Sequence, residues 1–353
     1  MSSGVKLIER LSLAFGPSGC EGEVEAIIRE ELADLPVALQ RDRMGNLTAH
    51  LEGEVGSPRV LLSAHMDEVG FMITEIGKKG FLRFQTLGGI DPAVLVGRAV
   101  TVGDERRRVA GVISCKGIHF QTAEERKKLP ELKDMYIDIG VDSREEAEKL
   151  VSLGDFGTFD TPFLPFGKDL AFLSGKALDD RVGCAVLIEV LRAVWDKHLP
   201  LDLWFAFTVR EELGISGAAV TANRIRPDIG IVLEATAMAD LPDVAAARRV
   251  ADMGAGGVLS LLDRSTIYDR ALIEHALAVG KECGIPVQVK RFVSGGNDAG
   301  VIQRSGEGVR CLAISAPTRY LHAPVSVTKY SDVTAIIELL TALLRKETLC
   351  IKH

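Results

Sequence analysis

Six residues with imidazole or carboxylate side chains are candidates for binding metal ions together. They are His65, Asp179, Glu211, Glu212, Glu234 and His322. Zinc, cobalt and manganese all fit a shell of mixed imidazole and carboxylate ligands, and together these residues outline a site for two ions. Two ions held close together activate water for hydrolysis. The residue types therefore predict a two-metal hydrolase site.

Three of these residues lie one or two positions after apolar runs that are typical of buried strands. The runs at residues 60–64, 203–209 and 229–233 precede His65, Glu211 and Glu234. In open α/β sheets, ligands bind in the crevice beyond the carboxyl ends of the strands. Residues that are far apart in the sequence are therefore expected to converge there.

Asp67 lies two residues after His65, where its carboxylate can hold the second ring nitrogen of the imidazole. Metal-bound histidines usually need such an orienting partner. A His-x-Asp pair by itself is more often a surface pair or a hydrogen-bonded core pair. The assignment of Asp67 to the site therefore depends on the other candidate residues.

Two pairs of adjacent carboxylates leave alternatives open. One residue of Asp179–Asp180 can cap the helix that begins there, while a carboxylate with two oxygens can also bridge two cations. Glu211 and Glu212 follow a long apolar segment, which favours the edge of the core over a solvated loop. Neighbouring side chains there face different ways, so one can bind metal while the other serves as a general base.

The composition limits the classes of partner. The chain has 353 residues, of which 47% are hydrophobic, and a net charge of -7, with acidic and basic residues interspersed. This pattern offers no basic surface for nucleic acid and no polybasic membrane anchor. The N-terminal segment lacks the apolar run of a signal peptide, and no apolar run approaches the ~20 residues of a membrane span. We therefore expect a cytoplasmic protein that binds neither nucleic acid nor membranes.

The pattern of apolar residues changes twice along the chain. From about residue 70 to residue 166, short alternating runs are broken by glycines and charged turns, as in a β-rich unit. Before and after this segment, the spacing is typical of helices and long strands. We predict an α/β domain formed by residues 1–68 and 166–353, interrupted by a β-rich insertion at residues 69–165.

Four motifs carry a resemblance to a known family. They are SAHMDEVG at residues 63–70, ALDDRVG at 177–183, REELG at 210–214 and RYLHAP at 319–324. In order and spacing they resemble the tetrahedral (TET) and glutamyl aminopeptidase family, as do the glycine-rich turn at 295–300 and the segment 138–140. The resemblance spans nearly the whole chain. It implies a three-layer αβα, phosphorylase/hydrolase-like peptidase domain with an inserted PDZ-like dimerisation domain.

The resemblance also implies a ligand set for two divalent metal ions, with zinc or cobalt favoured and manganese compatible. It implies that Asp179 bridges the two ions, that Glu212 and His322 bind one of them, and that His65 and Glu234 bind the other. The family usually has Asp at position 234. The longer Glu234 is therefore a departure that bears on how tightly a metal ion binds and on which metal binds.

Further expectations concern catalysis and local structure. The resemblance implies that Glu211 is the general base, and Asp67 joins it in the predicted catalytic set. The peptide between Asp179 and Asp180 is expected to be cis. A second departure is Asn297, which stands beside Asp298 where the family more usually has Thr.

The implied activity is removal of N-terminal residues from short peptides, in a homo-oligomer of dimers that builds a hollow dodecamer. Arg210, Arg249 and Arg319 are candidate pocket residues, and an arginine in the pocket would favour acidic N-terminal residues. Some family members are labelled endoglucanases, but a glycosidase has no general need for the two histidines. An inactive metal-binding scaffold is a further alternative, which the presence of Glu211 disfavours.

Overall fold

The computed structural model describes residues 2–345 except for 243, 246, 247 and 294. The helices within these residues are α1 (Ser3–Leu13), α2 (Gly22–Glu31), α3 (Arg144–Leu150), α4 (Leu178–Val194), α5 (Ser216–Ile225), α6 (Arg270–Cys283), α7 (Ala299–Ile302) and α8 (Tyr330–Arg345). The strands are β1 (Leu39–Arg41), β2 (Leu47–Leu51), β3 (Arg59–His65), β4 (Gly70–Ile76), β5 (Leu82–Leu87), β6 (Ala99–Gly103), β7 (Arg108–Ser114), β8 (Tyr136–Asp138), β9 (Phe156–Phe159), β10 (Leu164–Phe166), β11 (Phe172–Gly175), β12 (Asp202–Thr208), β13 (Ile229–Ala237), β14 (Gly257–Leu259), β15 (Val287–Val289), β16 (Arg310–Arg319) and β17 (Ser326–Lys329). No helix in this described part is long and apolar enough to cross a membrane.

The larger sheet has eleven strands, and its centre is parallel. Its order is β1-β2-β12-β3-β13-β16-β17-β11-β10, with β14 beside β16 and β15 beside β14. The four central strands β12, β3, β13 and β16 run parallel to one another. Their carboxyl ends therefore meet at one edge of the sheet.

The central strands are buried on both faces, as expected for parallel strands packed between helices. Residues Val60–His65 of β3 are all buried, and so are eight of the nine residues of β13. Helix α4 packs against β13 and β3 and contacts α1 and α8, while α5 and α7 contact each other as well as the sheet. The result is a mixed α/β fold, in agreement with the prediction.

The segment between β3 and β10 contains a separate closed barrel. Its strands pair in the order β4-β5-β8-β7-β6-β9, and all the pairs are antiparallel. Phe71 packs edge-on against Phe84 and Phe159, with ring centroids 5.1 and 5.2 Å apart, inside a hydrophobic cluster distinct from that of the larger sheet. The β-rich texture of this segment therefore corresponds to a six-stranded barrel.

A buried ionic network connects the end of β3 to the start of α4. The Arg181 side chain has no exposed surface and donates hydrogen bonds to the carbonyl oxygens of Met66 and Gly16 and to Oε1 of Glu68. Lys176 Nζ lies 2.6 Å from the same Glu68 oxygen, and burial lowers the pKa of this lysine to about 8. The network fixes the chain just after the candidate ligand His65 and on either side of the candidate ligand Asp179.

We expect Arg181→Met to lower the free energy of unfolding by about 3–5 kcal/mol, because removing one partner of a buried ion pair leaves the other partner and several carbonyls unsatisfied. Urea denaturation at matched protein concentration measures this loss. Arg270→Met is the control, since Arg270 forms an exposed pair with Glu274 within α6 and should have a much smaller effect. Equal losses in the two variants would contradict the structural role of Arg181.

Candidate metal centre

The six candidate ligand residues converge at the carboxyl edge of the parallel strands. His65 ends β3, Glu234 lies in β13, and Glu211 and Glu212 follow β12. Asp179 lies at the start of α4, and His322 lies in the turn between β16 and β17. Five of the six border a cavity of about 560 Å³, while His65 is buried beneath its neighbours.

The ring of His65 is oriented by Asp67. Its Nδ1 lies 3.0 Å from the backbone carbonyl of Asp67 and 3.4 Å from the Oδ1 of this residue. Because a carbonyl only accepts, Nδ1 carries a proton, and Nε2 is the nitrogen that would offer a lone pair to a metal ion when the ring is neutral. This Nε2 lies 3.3 Å from Asp179 Oδ1 and 4.0 Å from Glu234 Oε2. The nitrogen therefore points at two carboxylates, as a metal ligand would.

The ring of His322 is oriented in the same manner by a different part of the chain. Its Nδ1 donates to the Gly89 carbonyl at 2.9 Å. Its Nε2 lies 3.2 Å from Glu212 Oε1 and 3.6 Å from Asp179 Oδ2. The two oxygens of Asp179 are thus each faced by a different histidine nitrogen.

The candidate ligand atoms fall into compact groups. In each group, one atom from every residue lies within 4.8 Å of the others. The groups are His65, Asp179 and Glu234; Asp179, Glu212 and His322; and His65, Glu211 and Glu212. Asp179 is shared by the first two groups, so the geometry is compatible with a carboxylate placed between two cations.

The structure separates the roles of the adjacent aspartates. Asp180 is fully buried and has non-helical backbone angles, and its Oδ1 accepts from the backbone N–H of Gly183 at 3.1 Å, so it caps the regular turns of α4 that follow it. Asp179 instead borders the cavity. The peptide that joins them is cis, as the family resemblance implies.

The charges of the cluster favour a cation. Burial raises the pKa of Glu211, and the nearby carboxylates of Asp298 and Glu212 raise it further. Burial also raises the pKa of Glu234, and its Oε1 is buried with no hydrogen-bond partner. A carboxylate oxygen in this position is costly unless a cation or a proton satisfies it. The residues present therefore fit divalent metal ions.

The carboxylates around the two histidines favour the protonated form of each ring. Burial opposes a charge on His322, but hydrogen bonds to Asp179 and Glu212 outweigh it and raise the pKa of the ring to about 11. His65 behaves alike, since its bonds to Asp179 and Asp67 overcome burial and raise its pKa well above the usual value. Metal binding at either ring would have to displace such a proton.

Asp67 has a second function that the sequence did not reveal. Its carboxylate is fully buried and accepts from the backbone N–H groups of Glu211 and Glu212 at 2.9 and 3.1 Å. The Ser18 hydroxyl donates to it as well. Asp67 therefore fixes both His65 and the segment that carries the adjacent glutamates.

Other residues of the cavity wall were not predicted as ligands. Asn297 borders the cavity, and its Nδ2 donates to the Tyr268 hydroxyl at 3.1 Å. Asp298 is buried, and its Oδ2 accepts from Thr208 Oγ1 at 2.7 Å and from Ser63 Oγ at 3.1 Å. Asp298 thus ties the segment after residue 294 to the ends of β3 and β12.

The three arginines proposed for the pocket do not border this cavity. No arginine occurs among the described residues of its wall, and Arg319 is paired with Asp240 through a 2.8 Å bond from Nε. Lys290 and Asp263 border the cavity instead. Apart from His322, the basic side chain in the described part of the cavity wall is therefore that of Lys290.

The fold and this cluster define an α/β protein with a candidate two-metal centre at the carboxyl edge of its parallel strands. A sequence model of the M42 glutamyl aminopeptidase family matches residues 45–339. The chain therefore belongs to the M42 family, and it is a peptidase.

Similar proteins agree with this assignment. A putative aminopeptidase of Acetivibrio thermocellus is 34% identical over 337 residues, which cover 95% of this chain and 96% of the relative. The structure of a TET aminopeptidase from a marine sediment archaeon, Thaumarchaeota archaeon SCGC AB-539-E09, superposes with a TM-score of 0.94 at 37% identity, over 98% of this chain and 96% of that chain. These likenesses support aminopeptidase function.

Two further structures bear on assembly and on the alternative activity. The TET1 peptidase of Pyrococcus horikoshii, which can assemble into a tetrahedron or a large octahedral shell, is 34% identical with a TM-score of 0.88, over 98% of this chain and all of that chain. A protein of Thermotoga maritima described as an endoglucanase is 32% identical with a TM-score of 0.78, over 96% of both chains.

Proposed function

We propose that this protein releases N-terminal residues from short peptides with the help of two divalent metal ions. The observation that carries the proposal is the position of Asp179, whose two oxygens face Nε2 of His65 and Nε2 of His322 separately. His65 and Glu234 would hold one ion, and Glu212 and His322 would hold the other. The family resemblance favours zinc or cobalt, and the ligand types are compatible with zinc, cobalt and manganese alike.

Bound ions would supply an acidified water and a polarised scissile carbonyl. Glu211 borders the cavity beside this cluster, and it would take a proton from the water and pass it to the departing amine. Its raised pKa, caused first by burial, suits a group that must hold a proton during the reaction. Asp67 would keep the Glu211 backbone and the His65 ring in place.

We propose that residues 69–165 form a PDZ-like dimerisation unit and that residues 1–68 and 166–353 form a three-layer αβα peptidase domain. Dimers would build a hollow dodecamer, as the family resemblance implies, and the ability of the TET1 peptidase of Pyrococcus horikoshii to assemble into a tetrahedron or a large octahedral shell supports a large assembly. A cytoplasmic location and the absence of nucleic-acid and membrane partners stay predictions from composition. If light scattering gives the mass of a monomer at working concentration, the proposed dimer and hollow dodecamer are ruled out.

The test uses metal-stripped protein to which zinc, cobalt or manganese is restored. Release of N-terminal residues is followed on short peptides with free N-termini and on the same peptides with acetylated N-termini. Metal-dependent release from the free peptides alone supports the proposal. Cleavage of cellulose oligomers without peptide cleavage would support the endoglucanase alternative, and no cleavage of either substrate would support an inactive scaffold.

Lys290 is expected to influence the choice of N-terminal residue. It borders the cavity, where burial lowers its pKa and the charges of Asp263 and Glu234 partly restore it. Because Lys290 borders the same cavity as the candidate metal ligands, we expect acidic N-terminal residues to bind near its ammonium group.

Replacing Lys290 by Met should lower the kcat/KM ratio of Glu-peptides to Leu-peptides by at least about 10-fold, because a hydrogen bond to a charged group contributes about 1.5–3 kcal/mol. The control is Lys281→Met, which removes an exposed lysine of α6. An unchanged ratio in Lys290→Met would show that this lysine does not select the substrate.

A further inference from the structure

The two histidines of the candidate centre are oriented by different parts of the fold. His65 is held by Asp67, which follows the same strand of the larger sheet. His322 is held by Gly89, which follows β5 of the inserted barrel and is 233 residues away in the sequence. The barrel therefore supplies an orienting contact to one half of the centre.

The residue before Gly89 touches another candidate ligand of the same half. Gly88 has φ +84°, a conformation that favours glycine, and it packs closely against the loop after β12. A Cβ at this position would lie 2.8 Å from Val69 Cγ1, 3.2 Å from Glu212 Cβ and 3.4 Å from Glu212 Oε2. The Gly88–Gly89 turn thus leaves no room for a larger side chain beside Glu212 and accepts a hydrogen bond from His322.

No regular element fixes the backbone around His322. The residue has φ +57° in the turn between β16 and β17, in the left-handed region that L-residues rarely adopt. The ring is partly exposed, with a relative exposure of 36% for the side chain, so packing holds it less firmly than the buried His65. The hydrogen bond to Gly89 is consequently an important restraint on the direction of Nε2.

We propose that the Gly88–Gly89 turn of the barrel positions Glu212 and His322 as a ligand pair, so that one of the two cation positions depends on the barrel while the position formed by His65 and Glu234 does not. This inference rests on the proposed two-metal function. The turn would act only by positioning these two ligands. We assign it no contact with the reacting atoms. Orienting partners of metal ligands typically contribute 10–100-fold in metal affinity.

The test is a calorimetric titration of metal-stripped Gly88→Ala with zinc. We expect the affinity of one cation to fall by about 10–100-fold while the other keeps its wild-type affinity. Gly97→Ala is the matched control, because Gly97 lies before β6 of the same barrel with φ +83° but has no atom within 4 Å of an added Cβ. It places an alanine at a similar positive φ without crowding Glu212.

A loss of both affinities to the same extent, or equal titrations of Gly88→Ala and Gly97→Ala, would overturn the inference. If Gly88→Ala does not fold, the double variant Gly88→Ala with Val69→Ala removes the closest clash and keeps the 3.2 Å approach to Glu212, and the same titration applies. A wild-type protein that binds fewer than two zinc ions would instead refute the proposed function itself. The two failures are therefore distinguishable.

Discussion

Glu211→Gln is expected to lower kcat by about 10²–10⁴-fold, the usual contribution of a positioned general base. The amide keeps the size of the side chain but cannot accept the proton of the attacking water. Because Glu211 is proposed as a base and Glu212 as a ligand, the variant should keep the wild-type metal content. Steady-state rates on an unblocked peptide, together with metal analysis by mass spectrometry, measure both quantities.

Two comparison variants sharpen this expectation. Glu212→Gln should lower metal affinity, since its Oε1 lies 3.2 Å from the His322 nitrogen that faces the proposed cation. Glu307→Gln, at an exposed position, should change neither the rate nor the metal content. If Glu211→Gln loses metal and Glu212→Gln does not, the two glutamates have exchanged roles.

Asp179→Asn is expected to remove the shared ligand and to lower activity by more than about 100-fold. Losing a residue that only orients a metal ligand costs up to about 100-fold, and losing a ligand shared by both ions should cost more. An asparagine has one oxygen that can bind a cation and an NH₂ group that cannot. Both cation positions should therefore weaken together, in contrast to the selective loss expected for Gly88→Ala. Zinc titration of the metal-stripped variant measures the two affinities.

The control for this substitution is Asp196→Asn, just beyond the other end of α4, where the aspartate pairs with the exposed Lys197. It should retain two bound ions and wild-type activity. Retention of both ions in Asp179→Asn would contradict the bridging assignment.

The sequence was sufficient to predict the type of fold and the composition of the candidate centre. Strands buried on both faces produce continuous apolar runs, and polar residues directly after such runs lie at the edge of the sheet. His65, Glu211 and Glu234 could be found in this manner because the signal is local. The four motifs then identified the family, whose model matches most of the chain.

Assignments that depend on distant contacts required the tertiary structure. The sequence left capping and bridging open for Asp179 and Asp180, and only the packing of α4 against the sheet places one at Gly183 and the other at the cavity. The three proposed arginines do not border the cavity, and Arg319 is instead paired with Asp240, a contact between residues 79 apart in the sequence.

The sequence by itself determined which side chains are available for metal chemistry, since their types and their positions after strands follow from local patterns. Only the tertiary structure decided how those side chains are held. Gly89 orients His322 through a backbone carbonyl, which every residue possesses and which therefore leaves no signature in the sequence. Asp67 holds the Glu211 and Glu212 amides 144 and 145 residues away, and such pairings arise only when β3 and β12 lie side by side in the sheet.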